Sequence, residues 1–168
     1  MQDKNPDSQG DSTSLSLAFD LSNQSYGLMA QRMDAVNRRL EGLVSLAVTL
    51  TIAVPIFATA LLDNPRRADF DSVVLAGALA AFVISLIIGL TARGWSGLKL
   101  LSPQAMQQDD WAQLSKPDFM KEIIYWAAEH WEHNSTVIYR KSWAAILMTI
   151  FFVIELLFFI GWIAELTE

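Results

Sequence analysis

Cysteine is absent from the 168 residues, and histidine occurs only twice. The first absence excludes disulfides and thiolate metal sites and leaves the redox compartment open. The second leaves His130 and His133, beside Glu129 and Glu132, as the one histidine-bearing cluster whose spacing could hold a metal. Glu129 and His133 are one helical turn apart, but the order is not His-Glu-x-x-His. A solvated or aromatic-packed pair is the expectation, with no metal and no cofactor. Bases are outnumbered by acids, 12 Lys and Arg against 18 Asp and Glu, for a net charge of −6. No aqueous stretch is basic enough to bind nucleic acid. Charge is missing altogether from Leu43–Leu62 and Val73–Ala92. Neither proline nor glycine interrupts the chain between Pro117 and Gly161.

What is present follows from those gaps. Two uncharged apolar runs and a third, Trp143–Ala164, are each long enough to cross a bilayer, which takes about 20 apolar residues. The predicted fold is an all-α integral membrane protein with three transmembrane helices, and cytoplasmic helical extensions of the first and third. Taking the spans as 43–62, 73–92 and 143–164, residues 1–25 form a polar leader expected to be disordered. Residues 26–42 form a helix, 63–72 an outer loop with Asn64-Pro65 as turn signal, and 165–168 an outer tail. The first apolar run lies too far in and is too long for a cleavable signal peptide, so Ala58-Thr59-Ala60 only mimics a cleavage site.

The bases set the orientation. Arg32, Arg38, Arg39, Arg93, Lys99, Arg140 and Lys141 lie near membrane ends on one side, whereas Arg66 and Arg67 share the outer loop with three acids. The positive-inside rule places the N-terminus and the 93–142 segment in the cytoplasm of a cell's inner membrane, and the C-terminus outside. Trp143 and Trp162 stand where an aromatic belt belongs. The sequons at Asn23 and Asn134 fall on the cytoplasmic side and should be silent.

Helical signals extend beyond the spans. Tyr26, Met29, Met33, Val36, Leu40 and Leu43 recur at alternating spacings of 3 and 4. Ser115-Lys116-Pro117-Asp118 is a helix start: Ser115 caps, Pro117 suits the first turn and Asp118 completes a capping-box spacing. From there one helix of about 45 residues, roughly 70 Å, could run through the third span. The expected contact sets Met29, Met33, Val36 and Leu40 against Met120, Ile123, Ile124, Ala127 and Trp131. Arg93-Gly94-Trp95-Ser96-Gly97 reads as an interfacial turn, not a nucleophile elbow.

Three constellations could carry function. The acid Glu155 sits in the middle of the third span, where an ionised carboxylate costs about 2.5–3.5 kcal/mol. Its helical neighbours Phe151, Phe152, Phe158 and Phe159 offer no hydrogen bond. By depth it is level with Pro55, which cannot donate to the Thr51 carbonyl. Protonated Glu155 is expected to donate to that carbonyl or to the hydroxyl of Thr51 or Thr59, as a structural bond between helices. A ring of Glu155 side chains lining an oligomeric pore is the functional alternative. Second, Gly77, Ala81, Ser85 and Gly89 form a ridge of small residues on span 2, for packing within the monomer or between copies. Span 1 repeats the spacing with Ser45, Thr49 and Ala53. Third, the aromatics Trp111, Tyr125, Trp126, Trp131 and Tyr139 accompany Arg32, Arg38, Arg39, Lys121 and Arg140. Arg38, Arg39, Trp126 and Arg140 are the candidate pocket for a nucleotide, with interfacial anchoring as the plainer alternative.

The layout from Arg32-Met33-Asp34-Ala35-Val36 through Leu43 into a two-span hairpin resembles small bacterial membrane effectors of anti-phage signalling, of the Pycsar-effector or SLATT type. Asn134 with Arg140 and Lys141, ahead of the last span, is similar to the helix those families place there. The resemblance covers roughly residues 26–164. Arg39-Leu40-Glu41-Gly42 stands where the Pycsar type commonly has a Lys-Ala-Ser-like run. The resemblance implies membrane disruption on sensing a nucleotide signal and carries over no ligand-binding residue. The expected function is a non-enzymatic, oligomerising membrane effector or pore-like protein gated through its cytoplasmic helices. The alternative is a structural or accessory subunit of another membrane protein. The expected partners are the lipid bilayer and either further copies of the chain or that second membrane protein.

Overall fold

The computed structural model describes residues 7–61, 73–95, 97–102, 106 and 111–167, of which 7–12, 59, 61, 112, 166 and 167 are described by backbone alone. The expected outer loop lies outside the described residues. Helix α1 is Asp7–Leu61, α2 is Val73–Gly94 and α3 is Lys116–Thr167, with a 3-10 turn at Trp111–Gln113. The described chain is thus helical, and all three helices are long and apolar enough to cross a membrane.

Two boundaries follow from local chemistry. At the start of α3, Ser115 acts as the cap: its Oγ accepts from the Asp118 N–H at 3.4 Å and donates to Asp118 Oδ2 at 2.5 Å. The Phe119 N–H closes the first turn on the Ser115 carbonyl at 2.9 Å. The other boundary departs from the sequence reading. Helix α1 opens at Asp7, ahead of Tyr26, so residues 7–25 are helical where an irregular leader was expected. The reason is visible in burial: Leu15, Phe19, Ser22 and Tyr26 are half-buried and lead into buried Met29 and Met33. These positions continue the 3-and-4 stripe backwards, and Ser22 at one of them conceals it. Pro55 sits inside α1 without ending it.

The chain divides into two compact units. The first joins Met1–Asp34 with Ser96–Ile138. Its apolar interior includes Met29, Met33, Trp111, Ile123, Ala127 and Val137. Trp111 meets Phe119 edge-on with ring centroids 6.4 Å apart, and Tyr26 lies against Trp126 at 5.7 Å.

The second unit joins Ala35–Trp95 with Tyr139–Glu168. It contains two apolar layers. Leu40, Ala92, Ala144, Ala145 and Met148 form one, flanked by Val36, Val44 and Ile88. Ala58, Leu75, Ala78, Phe159 and Trp162 form the other, flanked by Val54 and Val74. Within the second unit the earlier part of its α1 segment, at Leu40, meets the late part of α2, at Ala92, so those two run antiparallel, while α1 and α3 run parallel. Val36 and Leu40 pack against the Ala144–Met148 region, which corrects the expected pairing of these residues with Met120–Trp131. Trp131 is itself exposed. Apolar periodicity is unchanged by a shift of whole turns, so the stripe alone does not choose its partner turn.

Close approach in this unit depends on small residues of α2. The buried positions Leu75, Ala78, Ala81, Ser85, Gly89 and Ala92 form one stripe. A Cβ at Gly89 would lie 2.9 Å from Val44 Cγ2 and 3.0 Å from Met148 Cε. Around Gly27 of α1, nothing lies within 4 Å of the corresponding position. Gly89→Val is therefore expected to destabilise the protein by about 1–3 kcal/mol through overpacking. Gly27→Ala should be neutral or stabilising by up to about 1 kcal/mol. Thermal unfolding of both variants in detergent measures the contrast.

Candidate functional site

The buried stripe of α3 carries three polar residues among its apolar ones: Asn134, Lys141 and Glu155. Removing such groups from water without partners costs several kcal/mol each, so their partners define the local structure. Each finds one on α1.

Glu155 is fully buried, at 0% exposure, in the second unit. Its Oε1 lies 2.7 Å from Thr51 Oγ1, and Thr51 Oγ1 lies 2.9 Å from the Ala47 carbonyl oxygen. A hydroxyl has one proton to give. If Thr51 donates to Ala47, both short contacts are hydrogen bonds only when Glu155 is a neutral acid donating to Thr51. An ionised Glu155 would be a buried carboxylate with at most one neutral donor, which is far more costly. Glu155 Oε2 and the hydroxyl of Ser85, on α2, are buried with no hydrogen-bond partner among the described residues. This geometry bears on two expectations. Of the partners considered, Thr51 supplies the bond through its hydroxyl, and the Thr59 side chain lies outside the described residues. In the single chain the Glu155 carboxyl is enclosed between helices.

The small-residue ridge is likewise used inside the chain. Ala81 is 5% exposed and Ser85 1%. A Cβ at Gly77 would meet the Phe158 ring at 2.8 Å, and the space at Gly89 is taken by Val44 and Met148.

Lys141 is 4% exposed, and its Nζ donates to Asn37 Oδ1 at 3.3 Å. The separation of 104 residues is the same as for Thr51 and Glu155. These two pairs fix one parallel register for α1 and α3 in the second unit. Arg39 reaches across as well, its Nη2 donating to Thr149 Oγ1 at 3.3 Å.

In the first unit, Asn134 is fully buried and fully used. Its Oδ1 accepts from the Lys99 N–H at 2.8 Å. Its Nδ2 donates to the Lys99 carbonyl at 3.1 Å and to the Tyr26 hydroxyl at 3.1 Å. One amide thus ties the segment around Lys99 and helix α1 onto α3. Burial pushes the Tyr26 phenol up from its ordinary value, and the bond from Asn134 partly offsets this.

The nucleotide candidates are divided between the units. Trp126 belongs to the first, where its ring is occupied by Tyr26 and by His130, the latter at a centroid distance of 4.4 Å. Arg38, Arg39 and Arg140 belong to the second and are exposed. His130 is thus aromatic-packed. Among the described residues, no group of three or more His, Asp or Glu could hold a metal.

Sequence reasoning read Asn134 as a silent sequon, Lys141 as one base among several, and both as part of the family layout, but it assigned neither a partner. A signal did exist. Ala127, Asn134, Val137, Lys141, Ala144 and Met148 share one helical stripe, and a polar residue on such a stripe needs a partner. No family model, curated protein or solved structure matches the chain.

These contacts separate two serine and threonine hydroxyls that look alike in sequence. Thr51→Val should cost about 1–3 kcal/mol by stranding Glu155. Ser85→Ala should cost almost nothing, because its hydroxyl has no partner to lose. Equal losses for the two, in thermal unfolding in detergent, would contradict the assignment.

Proposed function

We propose that this chain is a non-enzymatic, multi-pass protein of the bacterial inner membrane that assembles with copies of itself and opens the membrane when its cytoplasmic unit is engaged. The N-terminus and the segment before α3 stand in the cytoplasm, and the C-terminus stands outside. Three span-capable helices and the one-sided distribution of bases support the insertion and its direction. The effector role draws on the layout shared with the Pycsar-effector and SLATT types, in which a nucleotide signal would be the trigger.

One observation carries the assembly reading. The first unit, which the proposal places in water, exposes large apolar side chains: Leu17 at 59%, Leu21 at 55% and Leu28 at 49%. Leu21 also lines a cavity of about 540 Å³ between α1 and α3, together with Ile124, Ala128 and the exposed Trp131. Leucine facing lipid needs no cover, but leucine facing water does: burying each contributes about 1.5–3 kcal/mol. A second copy presents the same apolar face and satisfies the need symmetrically. Since Glu155 is enclosed in the single chain, opening in this reading starts with separation of α1 and α3 at Thr51.

The test pairs mass with function. Wild-type protein in mild detergent should run as a multiple of 18.8 kDa. The same protein should release dye from liposomes when its trigger is present. Leu21→Glu should be monomeric and silent. A wild type that inserts, stays monomeric and releases nothing under a panel of cyclic nucleotides would contradict the proposal and favour an accessory subunit of another membrane protein.

A further inference from the structure

The second unit holds a cavity of about 340 Å³ to which all three helices contribute. That volume lies in the range of small-molecule pockets. Its walls divide by chemistry. Leu40 and Val44 of α1 and Leu90 of α2 are apolar, whereas Lys141, Arg93 and Glu41 bring charge. Lys141 is the unusual member. A lysine is rarely so buried unless paired, yet this one is 4% exposed and its ammonium has a single neutral partner, Asn37. No carboxylate pairs with it among the described residues. A buried cation of this kind calls for a counter-charge, and the cavity it lines has room for one.

The lining also sets the size of that charge. Lys141 and Arg93 contribute two positive charges and Glu41 one negative, so the formal sum is +1. A phosphodiester with one negative charge neutralises it. A dianionic phosphomonoester or a nucleoside triphosphate would leave an excess beside Glu41. Position selects the source. Arg93 lies in the last turn of α2, just past the uncharged stretch, while Val44 and Leu90 lie within the first and second apolar runs. A molecule filling the cavity would have its anionic group at the edge of the hydrocarbon and apolar matter below, which is the form of a phospholipid.

We propose that this cavity is a binding site for the phosphodiester headgroup of a singly anionic membrane lipid. Lys141 and Arg93 hold the phosphate, Asn37 orients the lysine, and the first segment of an acyl chain lies against Val44 and Leu90. Basic pockets between helices on the cytoplasmic side of a membrane are suited to such headgroups. The site rests on membrane insertion but not on self-assembly, and it is separate from the Arg38, Arg39, Trp126 and Arg140 candidate.

The experiment uses the full chain. Alkaline extraction of membranes is done first, and release of the chain would overturn both the membrane reading and this site. The protein is then examined by native mass spectrometry in non-ionic detergent with phosphatidylglycerol, phosphatidylcholine or soluble glycerophosphoglycerol. Phosphatidylglycerol should be retained at least about fivefold better than phosphatidylcholine. Lys141→Met and Arg93→Gln should each weaken that retention by about fivefold or more, whereas Arg140→Gln, a nearby exposed base, should not. Arg93 is exposed, so its variant decides the matter should Lys141→Met fail to fold. Unchanged retention in the variants, or equal retention of the two lipids, would overturn the proposal for an inserted chain. Glycerophosphoglycerol retained as well as the lipid would overturn the lipid source.

Discussion

The structure depends on polar residues of α3 that find partners on α1. Asn134 meets Tyr26 in the first unit; Lys141 meets Asn37 and Glu155 meets Thr51 in the second. Apolar contacts between long helices are nearly indifferent to a slide of one turn, because leucine and alanine recur with the same period on both. A buried carboxyl, ammonium or amide is not indifferent, since a slide removes its partner and leaves the desolvation cost uncompensated. In hydrocarbon, where no water competes and apolar surfaces gain little from each other, such pairs are the natural determinants of register. The small residues of α2 then let that helix approach closely enough to close the layers around Met148 and Trp162.

The same contacts bear on the proposed function. A helix pair held by a few polar contacts is stable in one register and has discrete ways to leave it. Glu155 and Ser85 each keep a buried oxygen without a hydrogen-bond partner among the described residues of the second unit. A change in the first unit that moved α1 against α3 would act on this region, and that is the link the proposed effector role requires. The cavity beside Lys141, where the lipid headgroup is proposed to bind, lies at the level of the Asn37 contact.

Much of this was legible in the sequence, and what was not has a physical reason. Three apolar runs gave the three span-capable helices, and the Ser115 cap gave the start of α3. The absence of proline and glycine between Pro117 and Gly161 gave its continuity. Depth counting brought Glu155 level with Pro55, one turn past Thr51, and Thr51 was among the partners this offered. The start of α1 was missed because Ser22 and the polar residues before Leu15 hide a stripe whose apolar members are sparse. The contacts of Leu40 were misplaced because periodicity fixes a face and not a register. Lys141 and Asn134 were noted as a base, a sequon and part of the family layout, but their partners follow only from the helix face they share with Ala127, Val137 and Ala144.

The register of α1 on α3 is the central claim, and the absence of cysteine makes it directly measurable. Leu40→Cys with Ala144→Cys places two thiols in one buried layer, 104 residues apart in sequence. Oxidation in membranes, followed by cleavage of the chain between α2 and α3, should leave the two fragments joined. Leu40→Cys with Phe152→Cys, two turns further along α3, should leave them separate, because a disulfide tolerates Cα separations of only about 4.4–6.8 Å. Joining in the second pair and not in the first would contradict the register and the polar contacts that define it.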